Sequence, residues 1–535
     1  MPHPPDPAQF SVAHPPASLS SQVGAVVFGR ILVSALDSVR AFAIVRLLTK
    51  DDFGTLSLAL AWYGTAVTLA LVGLPDALLV ELPAASAPRR QHIARTAVVL
   101  AHALGLVAAM ALVGVTYATG LVAADRPDLQ LAMWVAAGLI AVDLPGSLLG
   151  ALLLGTQRHQ TAVRLNLGVS FVANVAVLGL AALGAAPQWI LAGLGLSSAL
   201  RLAAVWRYAE MLSTSLRTLL DFSQLRSLLA VSVPLSLNAA AGTLNRQLAV
   251  WMAGALLTAT AFADFALASQ ELPFVLMIPN AVMVALLPRM RELAAGDGPN
   301  NRLDVLALWH SATLRIALIM LPIFAVCLIE APTLLALFYE NRYASAAPAF
   351  RASLFALPLR ITTYGTILLA FAAPRPILTS QLVGLVVQVA LCALLVVAQR
   401  DATLALSRAD LSVLAVVAQV VAAWVVVAVM LRAIAALANV SLGQVLPWRG
   451  LGLRALLVAV AALPMLAWLA LLPAQLPVTL AGRPEPGLAL GLLARVASFV
   501  ATYVALLLAM QMLTAQERAT LWTWLRLEPI WRRGR

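Results

Sequence analysis

Apolar runs of about twenty residues or more follow one another from residue 24 to residue 513, separated by short polar turns. No other feature constrains the chain as strongly. Bilayer hydrocarbon is about 30 Å thick, and a helix crosses it in about 20 residues. A helix satisfies its backbone groups within one such segment, whereas a membrane barrel reads as short segments of alternating hydrophobicity. The chain is 62% hydrophobic and only 11% charged, against about 25% charged in soluble domains. The sequence therefore predicts an all-α polytopic membrane protein with about fourteen transmembrane helices. Their places are 24–48, 55–82, 93–118, 129–154, 162–183, 187–207, 228–257, 262–288, 305–330, 345–372, 376–398, 410–431, 451–473 and 487–513.

An even number of spans puts both termini on one side. Arginines cluster in alternate loops, at Arg89 and Arg90, Arg207, Arg217 and Arg226, Arg289 and Arg291, and Arg432 and Arg449, and again in the C-terminal tail. By the positive-inside rule those loops and both termini are cytoplasmic, in an inner (plasma) membrane. In a soluble protein a formal charge of +12 would suggest nucleic acid; here topology and membrane lipids account for it. Residues 1–22 are rich in Pro and Ser and hold no basic residue, so they read as a disordered cytoplasmic tail. Residues 514–535 interleave Trp522, Trp524 and Trp531 with arginines and suit a helix on the inner leaflet. Cys327 and Cys392 lie in apolar runs and form neither a disulfide framework nor a metal site. Neither a Walker loop nor a zinc helix nor a nucleophile elbow is present, and the loops are too short for a catalytic domain. An enzyme is not expected, and neither is a resident cofactor; a coupling ion, H+ or Na+, is the candidate in that place.

The first hairpin recurs 209 residues later. Leu47-Leu48-Thr49 falls on Leu256-Leu257-Thr258, Phe53 on Phe262, and Leu58-Ala59 on Leu267-Ala268. The offset brings the first span onto the seventh, so the repeat is parallel, about an axis along the membrane normal. It predicts pseudo-symmetric six-helix lobes at 23–215 and 216–437, with an added helix pair at 438–513.

The stretch from Arg46 to Ala59 resembles the "RLLGPEDFG-Y-A" signature of Wzx-type polysaccharide flippases. These belong to the multidrug/oligosaccharidyl-lipid/polysaccharide (MOP) exporter superfamily. Val72-Gly73-Leu74-Pro75 resembles the family's "DLGL" region. In the second lobe Val233-Pro234-Leu235, Trp251 to Gly254, Phe265 to Ala268 and Leu287-Pro288 agree. Phe338 to Tyr343, followed by Ala347-Pro348, resembles its "lfG-xx-Y-xx-A-x-P" loop. The resemblance covers about 23–400. It implies a V-shaped, two-lobe MOP/MATE-like transporter that flips undecaprenyl-pyrophosphate-linked oligosaccharide for O-antigen, capsule or exopolysaccharide synthesis. A polysaccharide polymerase and a chain-length regulator are then candidate partners. The alternatives are a MATE-type multidrug/cation antiporter and a lipid II flippase; the first-hairpin signature of the latter is not seen here. The acid that many relatives carry in the seventh helix is Ala249 in this chain.

Ionisable residues inside spans are costly and mark functional sites. Arg30, Asp37 and Arg40 fall within about 80° of the first helix and make a charged stripe. A structural Asp37–Arg40 pair at i,i+3 is the plain alternative. The repeat maps Asp37 onto Arg246, beside Asn245. Arg30, Arg40, Arg246 and Arg360, with Asn245 and Arg315, are the candidate cavity residues for a diphosphate, which suits arginine's planar fork. Arg315 could equally serve topology near the inner surface. Asp37, Asp143, Asp264 and Glu271 are the candidate charge-pairing or coupling residues, with Asp264 expected near the interface. Pro145, Pro234, Pro273, Pro279, Pro322 and Pro358 interrupt spans and mark kinks or hinges.

Overall fold

The computed structural model describes residues 19–118, 127–211, 222–270, 273–296, 301–400, 406–471 and 485–512. The described elements are helices. They run as α1 (Leu19–Leu47), α2 (Lys50–Ala70), α3 (Leu74–Ala84), α4 (Ala87–Ala118), α5 (Pro127–Ser147), α6 (Leu149–Gly155), α7 (His159–Ala182), α8 (Pro187–Met211), α9 (Phe222–Leu256) and α10 (Ala259–Ser269). There follow α11 (Pro273–Ala295), α12 (Asn301–Tyr339), α13 (Ala347–Leu354), α14 (Tyr364–Ala370), α15 (Arg375–Arg400), α16 (Arg408–Ala438), α17 (Leu442–Val445), α18 (Trp448–Leu471) and α19 (Glu485–Ala509).

Among the described residues, ten helical stretches are long and apolar enough to cross a membrane, and the pair spanning 341–370 makes an eleventh. The places of the first, seventh and eighth predicted spans are also helical, as α1, α9 and α10–α11. The eighth is thus divided, and three other predicted spans are broken, each for a local reason. Between α2 and α3, Gly73 takes a left-handed conformation at φ +66°, and Pro75 then starts α3. The fourth span breaks at Leu148, where a short turn closes onto the carbonyl of Pro145. The tenth bends by 46° around a 3-10 turn over Leu357–Ile361, into which Pro358 brings no N–H. The ninth is longer than expected and begins at Asn301.

The repeated turns are built alike. Phe53 N–H donates to the carbonyl of Thr49 at 2.9 Å, and Phe262 N–H to that of Thr258 at 2.7 Å. The side chain of Thr49 accepts from Asp52 N–H, and that of Thr258 from Ala261 N–H. Each threonine thus caps the helix that follows.

The chain divides into two compact units, residues 1–266 with 388–411, and residues 267–387 with 412–535. Compactness places α9 in the first unit, whereas the sequence repeat groups it with the later spans; the two divisions rest on different criteria. In the first unit, Leu74, Leu78 and Leu82 of α3 pack on Ile93, Ala97 and Ala101 of α4 and on Leu148 and Leu152. In the second, Trp309, Ile316 and Met320 of α12 meet Ile367 and Leu368 of α14 and Met430 and Ile434 of α16. There α18 and α19 pack together through Leu457, Ala461, Met465, Phe499 and Tyr503. Lipid tails are as apolar as leucine, so such contacts stabilise by close packing and by polar pairs rather than by expelling water.

Candidate functional site

Two polar groups in the first unit surround predicted residues. On α1, Arg40 lies 3.5 Å from Asp37, and the two side chains are 25% and 42% exposed. Asp37 Oδ1 also accepts from Asn174 Nδ2 at 3.3 Å and Ser170 Oγ at 3.5 Å, both on α7. Asn174 is buried, and its Oδ1 has no hydrogen-bond partner. The Asp37–Arg40 pair is therefore anchored across to a second helix. The Arg30 side chain lies outside the described residues.

Asp143 is 5% exposed and has more partners than its sequence context disclosed. Tyr63 Oη of α2 donates to it at 2.6 Å, and Ser198 Oγ of α8 at 2.7 Å. Arg201 Nη1 of α8 lies 3.4 Å from Oδ1. This network ties α2, α5 and α8 together in the apolar interior. Removing the carboxylate leaves one half-buried guanidinium and two hydroxyls short of an acceptor. Asp143→Ala is expected to lose about 3 kcal/mol of stability, and Asp143→Asn, which keeps an acceptor, clearly less. Thermal unfolding in detergent checks the order; equal midpoints for the two variants would contradict it.

The third feature is a seam between α2 and the α9–α10 turn. A Cβ on Gly54 would overlap the carbonyl of Ala259, and one on Gly254 would overlap the Leu58 side chain. Further along, the rings of Trp62 and Trp251 stack with centroids 4.8 Å apart and planes 13° from parallel. Near the turns Lys50 Nζ sits 2.7 and 2.8 Å from the two oxygens of Asp264. Asp264, expected near the interface, is 8% exposed, covered by Lys50 from the opposite turn. Asn245 is also buried, with an unpartnered Oδ1, whereas Arg246 is exposed and donates to Thr243 Oγ1 at 3.3 Å. The predicted i+7 relation of Asp264 to Glu271 cannot be followed, since α10 ends at Ser269 and Glu271 lies outside the described residues.

In the second unit, Arg315 is exposed on α12 and Arg360 is half-buried in the 3-10 turn of the broken span. The strongest ion pair there was not anticipated. Arg495 of α19 meets Glu330 of α12 through two hydrogen bonds of 2.5 and 2.9 Å, and both side chains are fully buried. Glu330 stands at the last position of a predicted span. Arg495 sits between apolar residues, and that isolation was the available signal.

Helices of this number and order, broken at these places, make an all-helical fold of the MOP/MATE type. The lipid II flippase MurJ in an inward closed conformation matches 91% of this chain and 99% of its own, with TM-score 0.64 and 10% identity. An inward-facing multidrug resistance MATE family transporter matches 76% of this chain and 96% of its own, with TM-score 0.55 and 16% identity. A MOP superfamily transporter from Pyrococcus furiosus matches 78% and 96%, with TM-score 0.51 and 15% identity. At the level of sequence, residues 21–294 match the polysaccharide biosynthesis protein family, and the chain belongs to it. No curated protein matches the chain.

Proposed function

We propose that the protein carries undecaprenyl-pyrophosphate-linked oligosaccharide units across the bacterial inner membrane by alternating access, with both termini in the cytoplasm. Arg246 supports this reading most directly. It is an exposed arginine on a helix that packs along α2 in a polysaccharide biosynthesis protein. Facing lipid, an arginine costs at least about 2.5 kcal/mol at a helix centre. Facing a hydrated path, it costs little and offers a forked donor to phosphate oxygens. Arg40 and Arg30 are assigned the same task on α1, and Arg315 and Arg360 the same role in the second unit. Asp37 holds Arg40 in place between cycles.

A charge-assisted hydrogen bond contributes about 1.5–3 kcal/mol, which corresponds to about tenfold or more. Arg40→Ala and Arg246→Ala are therefore each expected to lower surface-glycan rescue of a flippase-null strain by about tenfold or more at matched protein levels. The lysine variants should fall between these and the parent, because charge remains while the fork is lost. Normal rescue by both alanine variants would refute the assignment.

A second reading, cation or drug antiport, draws on the oxygen-bearing group of Asp37, Ser170 and Asn174. Either reading admits H+ or Na+ as the coupling ion through Asp37.

A further inference from the structure

Four buried polar atoms lie on the two helices of the seam described above, one on α2 and three on α9. They are the indole nitrogens of Trp62 and Trp251, Oε1 of Gln247 and Oδ1 of Asn245, and none has a hydrogen-bond partner. Buried polar atoms in proteins are almost always satisfied, by protein, by water or by a ligand. In lipid such an orphan is costlier still.

Helical spacing sorts these atoms. Thr243, Gln247 and Trp251 follow one another at i, i+4 and i+8, so they form one stripe that drifts by only about 40° at each step. Asn245 points elsewhere, on the same side of the helix as Ala249. Trp62 approaches the upper end of the stripe from α2 and stacks on Trp251. The guanidinium of Arg246 is drawn to the lower end by its hydrogen bond to Thr243 Oγ1. From Thr243 to Trp251 the stripe is about 12 Å long, at 1.5 Å per residue. A cation thus stands at one end and an aromatic pair at the other. Between them is an amide with an acceptor to spare.

We propose that this stripe is a saccharide subsite, in which Trp62, Trp251 and Gln247 recognise the sugar next to the phosphate held by Arg246. The inference rests on the flippase reading above and deepens it. A pyranose has an apolar face that packs on an indole, and its hydroxyls both donate and accept. It therefore suits a place that offers two N–H donors and one carbonyl acceptor. A bare phosphate would use the arginine and leave the indoles and the amide unsatisfied. A flat hydrophobic cation would use the rings and be repelled by Arg246.

The test compares two probes on the purified full chain in lipid nanodiscs, by native mass spectrometry. They are undecaprenyl pyrophosphate and the same lipid bearing one N-acetylhexosamine. The parent protein is expected to prefer the glycosylated lipid by about tenfold. Trp62→Phe, Trp251→Phe and Gln247→Ala should each reduce that preference severalfold, while binding of the unglycosylated lipid stays within twofold. The phenylalanines keep an aromatic ring in the packing, and thermal midpoints confirm that the variants fold. Arg246→Ala should weaken both probes together. Equal binding of the two probes by the parent overturns the saccharide subsite and leaves the phosphate reading standing. Binding of neither probe overturns both. Full preference in all three stripe variants overturns the assignment of these residues.

Discussion

Replacing Arg495 or Glu330 alone by alanine should remove about 3–5 kcal/mol of stability, enough to leave little folded protein at 37 °C. Both side chains are fully buried, and the two hydrogen bonds of 2.5 and 2.9 Å satisfy one charge with the other. Either single change strands the partner as an uncompensated charge between α12 and α19. No water competes for it there, and a lone charge at membrane depth is costly by any scale. The pair as a whole is a different matter. Desolvating two charges consumes most of what their attraction returns, so an apolar pair of similar volume is often as stable. Glu330→Leu combined with Arg495→Met should therefore regain most of the loss. Fluorescence-detected size exclusion after a heating series reads all four proteins. Single variants as stable as the parent would show that the pair contributes nothing. A double variant no better than the worse single one would show that charge itself, rather than its pairing, is required.

The same pair shows where reading the sequence stops. The helical class, the places of the spans and the repeated turn were all legible, because each is written in local periodicity. Thr49 and Thr258 cap their helices alike in the structure, as the 209-residue offset requires. Breaks were legible as residue types but not as outcomes. Pro145 and Pro358 adjoin real interruptions, whereas Pro322 lies inside continuous α12. The partners of charged residues were not legible. Asp37 with Arg40 was found because both stand on one helix, three residues apart. Ser170 and Asn174 on α7, Ser198 and Arg201 on α8, and Arg495 on α19 lie from 55 to 165 residues away from the acids they serve. Only tertiary packing brings them there. The sequence could still have flagged them, since Ser170 and Asn174 form a polar i,i+4 pair in an apolar run, and such pairs seldom face lipid. Asp264 has a partner that its own helix does not disclose, since Lys50, the sole lysine in the chain, reaches it from another hairpin.

That hairpin yields the second large effect, at Gly54. Its Cα lies so close to the α9–α10 turn that even a methyl group would overlap the Ala259 carbonyl, which is backbone and cannot swing aside. Valine adds two further methyls at the same point. It cannot be accommodated by rotamer choice, so α2 must part from the turn by about the width of a side chain. Two contacts depend on that approach. Lys50, four residues before Gly54, holds Asp264 at 2.7 Å, and Leu58, four residues after it, fills the space over Gly254. Gly54→Val should therefore separate Lys50 from Asp264 while the rest of the first unit, packed through α3, α4 and α6, stays folded. On the function proposed above, surface-glycan rescue of a flippase-null strain should fall with it. The separation can be read directly. With Cys327 and Cys392 changed to alanine, Lys50→Cys and Asp264→Cys are bridged by a short bifunctional thiol reagent in membranes. The bridge should form readily when Gly54 is retained and drop at least about tenfold when Gly54→Val is added, whereas Gly54→Ala should fall between the two. Undiminished bridging in Gly54→Val would mean that the seam tolerates the side chain, and that the close approach of α2 to this turn is not what holds the Lys50–Asp264 pair together.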